Sequence, residues 1–426
     1  MSEQRMIDLI ESLFPICRSI TGDGIRQSLA LLQDIIPLEI VEVPSGTSVL
    51  DWQVPKEWNV KDAYIKDASG NRLVDFRKNN LHVLNYSAPM DRTMPLSELR
   101  PHLFSLPDQP DLIPYRTSYY DENWGFCLSH RQLETLPDGN YQVVIDSSLE
   151  DGSLSYGECF LPGQSQQEVL ISTHICHPSL CNDNLSGIAV ATFLADSLVA
   201  RDCRYSYRFL FVPVTIGAIA WLAQNEDKLS NIRHGLVASN LADKGGFTYK
   251  KSRSGRSTID RVVERVLRNS GVEYELREFI PYGYDERQYG SPGFDLPVGS
   301  LSRTPYGEYP EYHTSADNLD FISHKNLSQS LDIYKKIGDE LEHSRFFRNL
   351  QPKGEPQLGR RGLYKKVGGE TDQKETQMAI LWLLNQSDGN TSLLEVAELS
   401  SIDLSKLSEV AEILVVQGLL KEISDT

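Results

Sequence analysis

Apolar segments of two different periods alternate between about residue 140 and residue 345, and this alternation limits the folds open to the chain. Short runs such as QEVLISTH (167–174) and YRFLFVPV (207–214) are typical of buried strands, whereas GIAVATFLADSLVA (187–200) is typical of a helix. Strands that alternate with helices of this length predict an α/β fold with a mostly parallel sheet covered on both faces. Ligands bind at the carboxyl ends of such strands.

The remaining segments differ in character and predict a division into domains. Residues 44–114 are rich in Pro, Asn, Asp and aromatic residues, and strand-like runs such as AYIKD and NLHVLNY alternate there with turn signals such as ASGN and APMD. We interpret them as a small β-rich insertion in a discontinuous α/β domain made of residues 1–43 and 115–350. A Gly- and Lys/Arg-rich linker is expected at 351–371. The order helix, helix, helix and apolar strand then predicts a winged-helix-like domain at 372–426.

The composition excludes several classes of function. The 426 residues carry a net charge of -17, and the pI is near 5.0, so a general affinity for nucleic acid or for anionic membranes is not expected. The first residues lack the features of a signal peptide, and no stretch reaches the roughly 18 apolar residues of a membrane span. Six scattered cysteines without CxxC spacing indicate reduced thiols. We therefore expect a cytoplasmic protein.

The C-terminal segment is acidic as well. Residues 370–425 contain three lysines and eleven acidic residues, a net charge of about -8, whereas a recognition helix needs positive charge to contact phosphates. DNA binding is therefore not expected of the winged helix. Packing or homo-oligomerisation suits this acidic module better.

The segment LISTHICHPSLCNDNLSGIAV (170–190) carries the strongest chemical signal. An apolar strand ends at His174, the following loop contains Asp183, and NLSG leads directly into a helix. Histidine and aspartate supply the nitrogen and oxygen ligands that suit zinc or another divalent metal. The alternative is structural: His174 simply ends a strand, and Asp183 caps the helix that follows.

Two later segments complete an ordered set of possible ligands. Asp243 is predicted to close the strand in VASNLADKGG, at the C-terminal edge of the sheet, and His313 lies in the polar and aromatic segment GEYPEYHTSADNLDF. The order strand-His, xDNxSG, NxAD and YHTxxD resembles the zinc aminopeptidase and glutamate carboxypeptidase family over roughly residues 140–345. The resemblance implies that His174, Asp183, Asp243 and His313 bind one or two zinc ions, with Asp183 bridging two metals.

A nearer resemblance runs almost end to end. The strings THICHPSLCNDNLSG, YDERQYGSPGFDLPVGSL and YPEYHTSADNL resemble those of bacterial proteins with an aminopeptidase-like domain, an inserted β domain and a C-terminal winged helix. Members of that group are associated with polysaccharide or secondary-metabolite pathways. This resemblance implies the architecture more than the substrate.

The sequence departs from the aminopeptidase pattern at one decisive place. Zinc aminopeptidases have Glu-Glu after the strand that follows the DxxSG helix, the first as general base and the second as metal ligand. This chain has Val214 and Thr215 there. A positioned base adds roughly 100- to 10,000-fold to a rate, and valine cannot supply one. Loss of the ligand also weakens the second metal position, so one ion is an alternative to two.

Other side chains are candidates for the missing chemistry. Asp285 and Glu286 are adjacent carboxylates that we consider as catalytic groups, with a solvated surface loop as the alternative, and Glu311 is a third candidate, with a structural salt bridge as its alternative. His177, Arg287 and Tyr312 are candidates for contacting the substrate. Arg287 suits a substrate carboxylate because a guanidinium can bind it with two hydrogen bonds.

Three functions therefore remain open. The first is a metal-dependent hydrolase of an amide bond in a small amino-acyl or peptide substrate. The second is a metalloenzyme of altered chemistry that catalyses transfer, condensation or cyclisation, because the water-activating glutamate is absent. The third is a non-catalytic binding protein.

Overall fold

The computed structural model describes residues 2–363 and 371–423. These residues form two compact units, Met1–Tyr334 and Lys335–Thr426. Part of the predicted linker, residues 364–370, lies outside the described residues. Within the described part of the chain, no helix is both long enough and apolar enough to cross a membrane.

An eight-stranded mixed sheet organises the first unit. Its strands follow one another across the sheet in the order Glu39–Pro44, Ser153–Leu161, Ser206–Val212, Glu168–His174, Ile232–Ala238, Val298–Ser302, Phe247–Lys250 and Tyr274–Arg277. The four central strands are parallel, whereas the strands on either side join them in antiparallel fashion. The α/β prediction is confirmed, and its parallel part is the centre of the sheet.

The central strands are apolar on both faces. Every residue of Glu168–His174 and of Ser206–Val212 is buried, which explains their continuous runs of Val, Ile, Leu and Phe. The α-helices of the first unit are Ser2–Leu13, Asp23–Gln33, Leu96–Leu99, His130–Glu134, Ser186–Leu198, Ile216–Gln224, Thr258–Asn269, Glu286–Tyr289 and His324–His343, the last of which continues into the second unit. Short 3-10 turns lie at Asn80–His82, Arg100–His102 and Glu226–Asn231, and a π-turn lies at Cys181–Leu185.

A second sheet of four antiparallel strands contains the insertion. Its order is Arg72–Asp75, Glu57–Lys66, Asn140–Glu150 and Met90–Pro95. We expected residues 140–150 to belong to the α/β domain, but this strand is a central member of the small sheet. Its first half alternates between exposed and buried positions, the pattern of a strand with one solvated face. Two-stranded ladders join Ser48–Val49 to Trp52–Gln53 and Leu103–Phe104 to Phe126–Cys127.

The second unit has the expected order of elements. Its α-helices are Thr371–Gln386, Leu393–Ser400 and Leu404–Val416, and a 3-10 turn lies at Gly359–Arg361. Its antiparallel sheet has the order Asp388–Ser392, Phe346–Asn349 and Leu420–Ile423. The central strand of this sheet, Phe346–Asn349, precedes the predicted linker at 351–371, so the unit begins earlier than residue 372. Four residues were too few to reveal its partner in the sequence.

Candidate metal centre

The candidate centre lies at the carboxyl end of a central strand. His174 is the last residue of the strand Glu168–His174, which has a parallel neighbour on each side. The chain then turns through Cys181–Leu185 into the helix Ser186–Leu198. His174 and Asp183 are both buried. The fold therefore brings these two residues together where α/β sheets bind their ligands.

Three imidazoles converge on the carboxylate of Asp183. Nε2 of His174 lies 2.9 Å from Oδ1, Nε2 of His313 lies 3.0 Å from Oδ2, and Nδ1 of His177 lies 3.4 Å from Oδ2. Nε2 of His174 also lies 3.2 Å from Nδ1 of His177. Of the four ligands expected from the sequence, the structure brings three together and places His177 beside them.

The spacing of these donor atoms fits a divalent ion. Two ligand atoms that each lie about 2.1 Å from a tetrahedral ion are about 3.4 Å apart, and the contacts at Asp183 span 2.9 to 3.4 Å. Among the described residues, His174, His177 and Asp183 offer ligand atoms that all lie within 4.8 Å of one another. Imidazole nitrogen with carboxylate oxygen is the donor set of zinc and related ions.

The protonation states also fit a metal site. Burial opposes the charge on Asp183, but the electrostatic field of His177 and hydrogen bonds from three imidazoles hold the pKa of Asp183 well below its usual range. Burial lowers the pKa of His313, despite its bond to Asp183. At neutral pH the centre therefore offers an ionised carboxylate and, at His313, a neutral imidazole.

A buried carboxylate fixes the loop that carries Asp183. Oδ1 of Asp317 accepts the backbone N–H of Asn182 at 2.6 Å, and Oδ2 accepts that of Asp183 at 2.9 Å. Burial raises the pKa of Asp317 to about 8, although these N–H groups oppose the shift. We did not assign this residue a role from the sequence, although it is the last position of the YHTxxD pattern.

Two further contacts to Asp183 were missed by the sequence analysis. The hydroxyl of Tyr284 donates to Oδ1 at 3.0 Å, and the Tyr284 ring stacks on His174 with centroids 4.6 Å apart. With its amide oriented to satisfy both ends, Asn240 donates to Oδ1 of Asp183 at 3.2 Å and accepts the N–H of Tyr306 at 3.3 Å. Both residues orient the carboxylate.

Asp243 lies outside this group of contacts. Its carboxylate accepts the hydroxyl of Thr304 at 2.6 Å, the N–H of Gly245 at 2.7 Å and the amide of Asn182 at 3.1 Å. No hydrogen bond or ion pair among the described residues joins it to Asp183 or to the three histidines. Its carboxylate therefore joins the loop residues Gly245 and Thr304 to Asn182, the neighbour of Asp183.

Two cavities adjoin the centre, with volumes of about 370 and 540 Å³. His177, Val214, Tyr312 and His313 line both of them, and the larger is lined by Arg287 too. All three residues expected to contact substrate (His177, Arg287 and Tyr312) therefore line the larger cavity. The sequence resemblance places Val214 at the position of the aminopeptidase general base, and its aliphatic side chain offers no proton acceptor.

The three expected catalytic carboxylates lie elsewhere. Asp285 and Glu286 are buried, in place of the solvated loop considered as their alternative. Glu286 forms an ion pair with Lys250, and burial together with Glu286 raises the pKa of Asp285 well above its usual range. The backbone carbonyl of Glu311 accepts the hydroxyl of Thr314 at 2.8 Å. None of the three carboxylates is among the residues that line the two described cavities.

Comparisons with known proteins agree with this architecture. A curated protein of Clostridium acetobutylicum, provisionally named a polysaccharide biosynthesis protein with an aminopeptidase-like domain, is 51% identical over 414 residues, which cover 97% of this chain and 95% of the relative. The crystal structure of a protein from the same species, provisionally named a peptidase, superposes with a TM-score of 0.90 at 49% identity and covers 99% of this chain and 96% of its own. A zinc aminopeptidase from Bacillus subtilis shares the fold, with a TM-score of 0.58 at 12% identity over 80% of this chain and 94% of its own.

The fold and the comparisons define an aminopeptidase-like α/β protein with a C-terminal winged helix. The winged helix-turn-helix family matches residues 345–422. Residues 7–344 match the family described as a domain of unknown function, DUF4910, and the chain belongs to that family.

Proposed function

We propose that this protein is a metal-dependent hydrolase that cleaves an amide bond in a small amino-acyl or peptide substrate. The observation that carries the proposal is the convergence of His174, His177 and His313 on the buried carboxylate of Asp183, beside two open cavities. The aminopeptidase-like fold supports it. The name of the Clostridium relative supports a place in a biosynthetic pathway.

His174, Asp183 and His313 are the residues that would hold the ion. When bound, a divalent metal supplies Lewis acidity at the amide carbonyl. Tyr284 and Asn240 keep the carboxylate of Asp183 in one orientation through their hydrogen bonds to Oδ1. Such supporting contacts typically change metal affinity about 10- to 100-fold when they are removed.

His177 takes the role of proton acceptor in this proposal. It lines both cavities, as Val214 does, and its Nδ1 lies 3.4 Å from Oδ2 of Asp183. A carboxylate on one ring nitrogen orients the imidazole and stabilises its protonated form, which is the arrangement of a general base. The base therefore comes from the loop after the strand Glu168–His174 and not from the place of Val214.

A second candidate is a metalloenzyme that catalyses transfer, condensation or cyclisation. One observation favours it: no carboxylate is among the described residues that line either cavity. A site with weak water activation favours attack by another nucleophile over hydrolysis. The substitution Val214→Glu separates the two candidates, because it restores a carboxylate to the cavity wall.

The test of the first candidate combines metal analysis with turnover. The full chain is purified, loaded in turn with Zn, Mn or Co, and assayed against N-acyl amino acids, amino-acid amides and small peptides with and without chelator. We expect about one bound ion and chelator-sensitive cleavage of at least one amide class. His177→Ala keeps the metal but loses most of kcat. Failure to bind metal under replete conditions, or metal retention with no amide cleaved, contradicts the proposal.

A further inference from the structure

The cleft beside the metal centre has an unusual charge for this protein. The chain carries a net charge of -17, yet no acidic side chain is among the described residues that line either cavity. Arg287 lines the larger cavity, and Arg116 lines the smaller one. A free amine of a substrate would find no carboxylate partner along these walls. An anionic group would find a cationic one.

Arg287 is prepared to bind an anion. Its side chain is half-buried, and its buried Nε has no hydrogen-bond partner. Among the described residues no carboxylate forms an ion pair with Arg287. Its neighbour Asp285 does not neutralise it, because burial and the adjacent Glu286 raise the pKa of Asp285 well above its usual range. A half-buried guanidinium without a partner is costly, and a bound carboxylate would relieve that cost.

An ion pair and hydrogen bonds fix the segment that leads into the short helix Glu286–Tyr289, which carries Arg287. The buried carboxylate of Glu286 forms an ion pair with Lys250, and Nζ of Lys250 also donates to the carbonyl of Tyr282 at 2.7 Å. The hydroxyl of Tyr306 donates to the same carbonyl at 3.0 Å. These contacts fix both ends of the segment 282–286, so the guanidinium is presented to the cavity from a fixed backbone.

Aromatic side chains form the rim of the same cleft. Seven of the fifteen residues that line the larger cavity are Tyr or Trp. Four of them are exposed: Trp52 by 45%, Tyr119 by 62%, Tyr120 by 38% and Tyr282 by 67%. The Trp52 and Tyr120 rings lie 5.3 Å apart. Exposed aromatic faces gathered around one cleft are an apolar surface that a ligand is expected to cover.

We propose that this cleft binds a carboxylate-bearing saccharide, with Arg287 paired to the carboxylate and the rim aromatics stacked on the sugar ring. The assignment rests on the hydrolase proposed above and names its substrate, because the sugar presents its amide to the neighbouring metal centre. Val214 and Ile219 are the aliphatic side chains among the described residues of the larger cavity. A peptide side chain therefore finds little aliphatic surface, whereas the face of a single exposed aromatic ring suits the C–H face of a pyranose.

Binding of three probes to the full-length protein tests this assignment. Methyl glucuronide carries the ring and the carboxylate, methyl glucoside replaces the carboxylate by CH2OH, and glutarate has carboxylates without a ring. None contains an amide, so calorimetric affinity is read independently of hydrolysis. We expect methyl glucuronide to bind about tenfold more tightly than either other probe, because one charge-assisted pair in a half-buried site has about that value.

Three variants separate the contributions. Arg287→Gln lowers the affinity for methyl glucuronide about tenfold and leaves that for methyl glucoside unchanged, whereas Trp52→Leu weakens both sugars in parallel. Arg268→Gln is the matched control, because Arg268 lies on the helix Thr258–Asn269, pairs with Glu264 and does not line either cavity. Equal binding of methyl glucuronide and methyl glucoside, tight glutarate binding, or an unaffected Arg287→Gln variant overturns the assignment. Loss of hydrolysis with intact sugar binding contradicts only the proposed function.

Discussion

Replacing Val214 by glutamate tests whether the centre is an otherwise intact hydrolytic site. Val214 is half-buried and lines both cavities together with His177 and His313, so a carboxylate placed there reaches the open space beside the candidate metal centre. A positioned base adds roughly 100- to 10,000-fold to a rate. We expect a gain of about 100-fold, near 2.7 kcal/mol of barrier, because a grafted side chain lacks the supporting hydrogen bonds of an evolved base.

The assay is chelator-sensitive amide cleavage at matched metal content, measured as kcat/KM for wild type, Val214→Glu and Val214→Gln. Glutamine has the shape of glutamate and cannot accept the proton, so it controls for changes in the cavity. A rate that rises equally in the Gln and Glu variants refutes the reasoning. No increase in a folded, metal-loaded Val214→Glu variant also refutes it, and favours the candidate of altered chemistry.

Three further outcomes follow from specific contacts. Asp183→Asn abolishes stoichiometric metal binding in mass-spectrometric metal analysis. Asp243→Asn keeps the metal and lowers the melting temperature, because among the described residues its carboxylate bonds to Thr304, Gly245 and Asn182 and to none of the metal-binding side chains; metal loss in Asp243→Asn alone contradicts this arrangement. Gly22→Ala destabilises the fold by at least about 2 kcal/mol in urea titration, because φ is +100° and its Cβ meets the Trp58 carbonyl at 1.9 Å. Burial lowers the pKa of His234 to about 3, below the ~6.5 of an exposed histidine, so the unfolded chain takes up the proton first as the pH falls. The neutral His234 side chain therefore stabilises the fold fully above about pH 6.5, and this contribution falls by roughly 3 kcal/mol by pH 4. His234→Gln removes that part of the pH dependence of the free energy of unfolding, and an unchanged dependence counts against the prediction.

Residue patterns predicted the fold well where every residue of a strand or helix has the same environment, for example complete burial. Glu168–His174 and Ser206–Val212 are buried along their full length, so their apolar runs could hardly be read otherwise. The strand Asn140–Glu150 was assigned to the wrong sheet, because its pattern shows that one face is solvated but not which strands pair with it. Pairing partners distant in the chain leave little local signal.

The grouping of side chains at the candidate metal centre could be predicted where regular elements frame it. His174 and Asp183 could be located because a strand end and a helix start bracket them, and the YHT pattern located His313. In the segment VASNLADKGG we expected the carboxylate of Asp243 to be a ligand. The structure instead directs the amide of Asn240, two residues beyond the strand end Ala238, toward Asp183. The direction of the backbone in this irregular segment determines which side chain points toward Asp183. Asn240 has a positive φ of 52°, a conformation that the periodicity of the sequence cannot predict.

The segment 284–287 shows how the same limit affects the proposed substrate site. Four consecutive polar residues have four different surroundings: Tyr284 contacts Asp183, Asp285 is buried without a partner for Oδ1, Glu286 pairs with Lys250, and Arg287 lines the cavity. From the sequence we considered Asp285 and Glu286 as catalytic groups and Arg287 as a contact to a substrate carboxylate. The ion pair of Glu286 with Lys250 fixes the start of the helix Glu286–Tyr289, and Arg287 is the one charged member of the four that lines the cavity. Glu286→Gln is therefore expected to weaken methyl glucuronide binding through Arg287 without changing metal content, and loss of metal in that variant contradicts the division of roles.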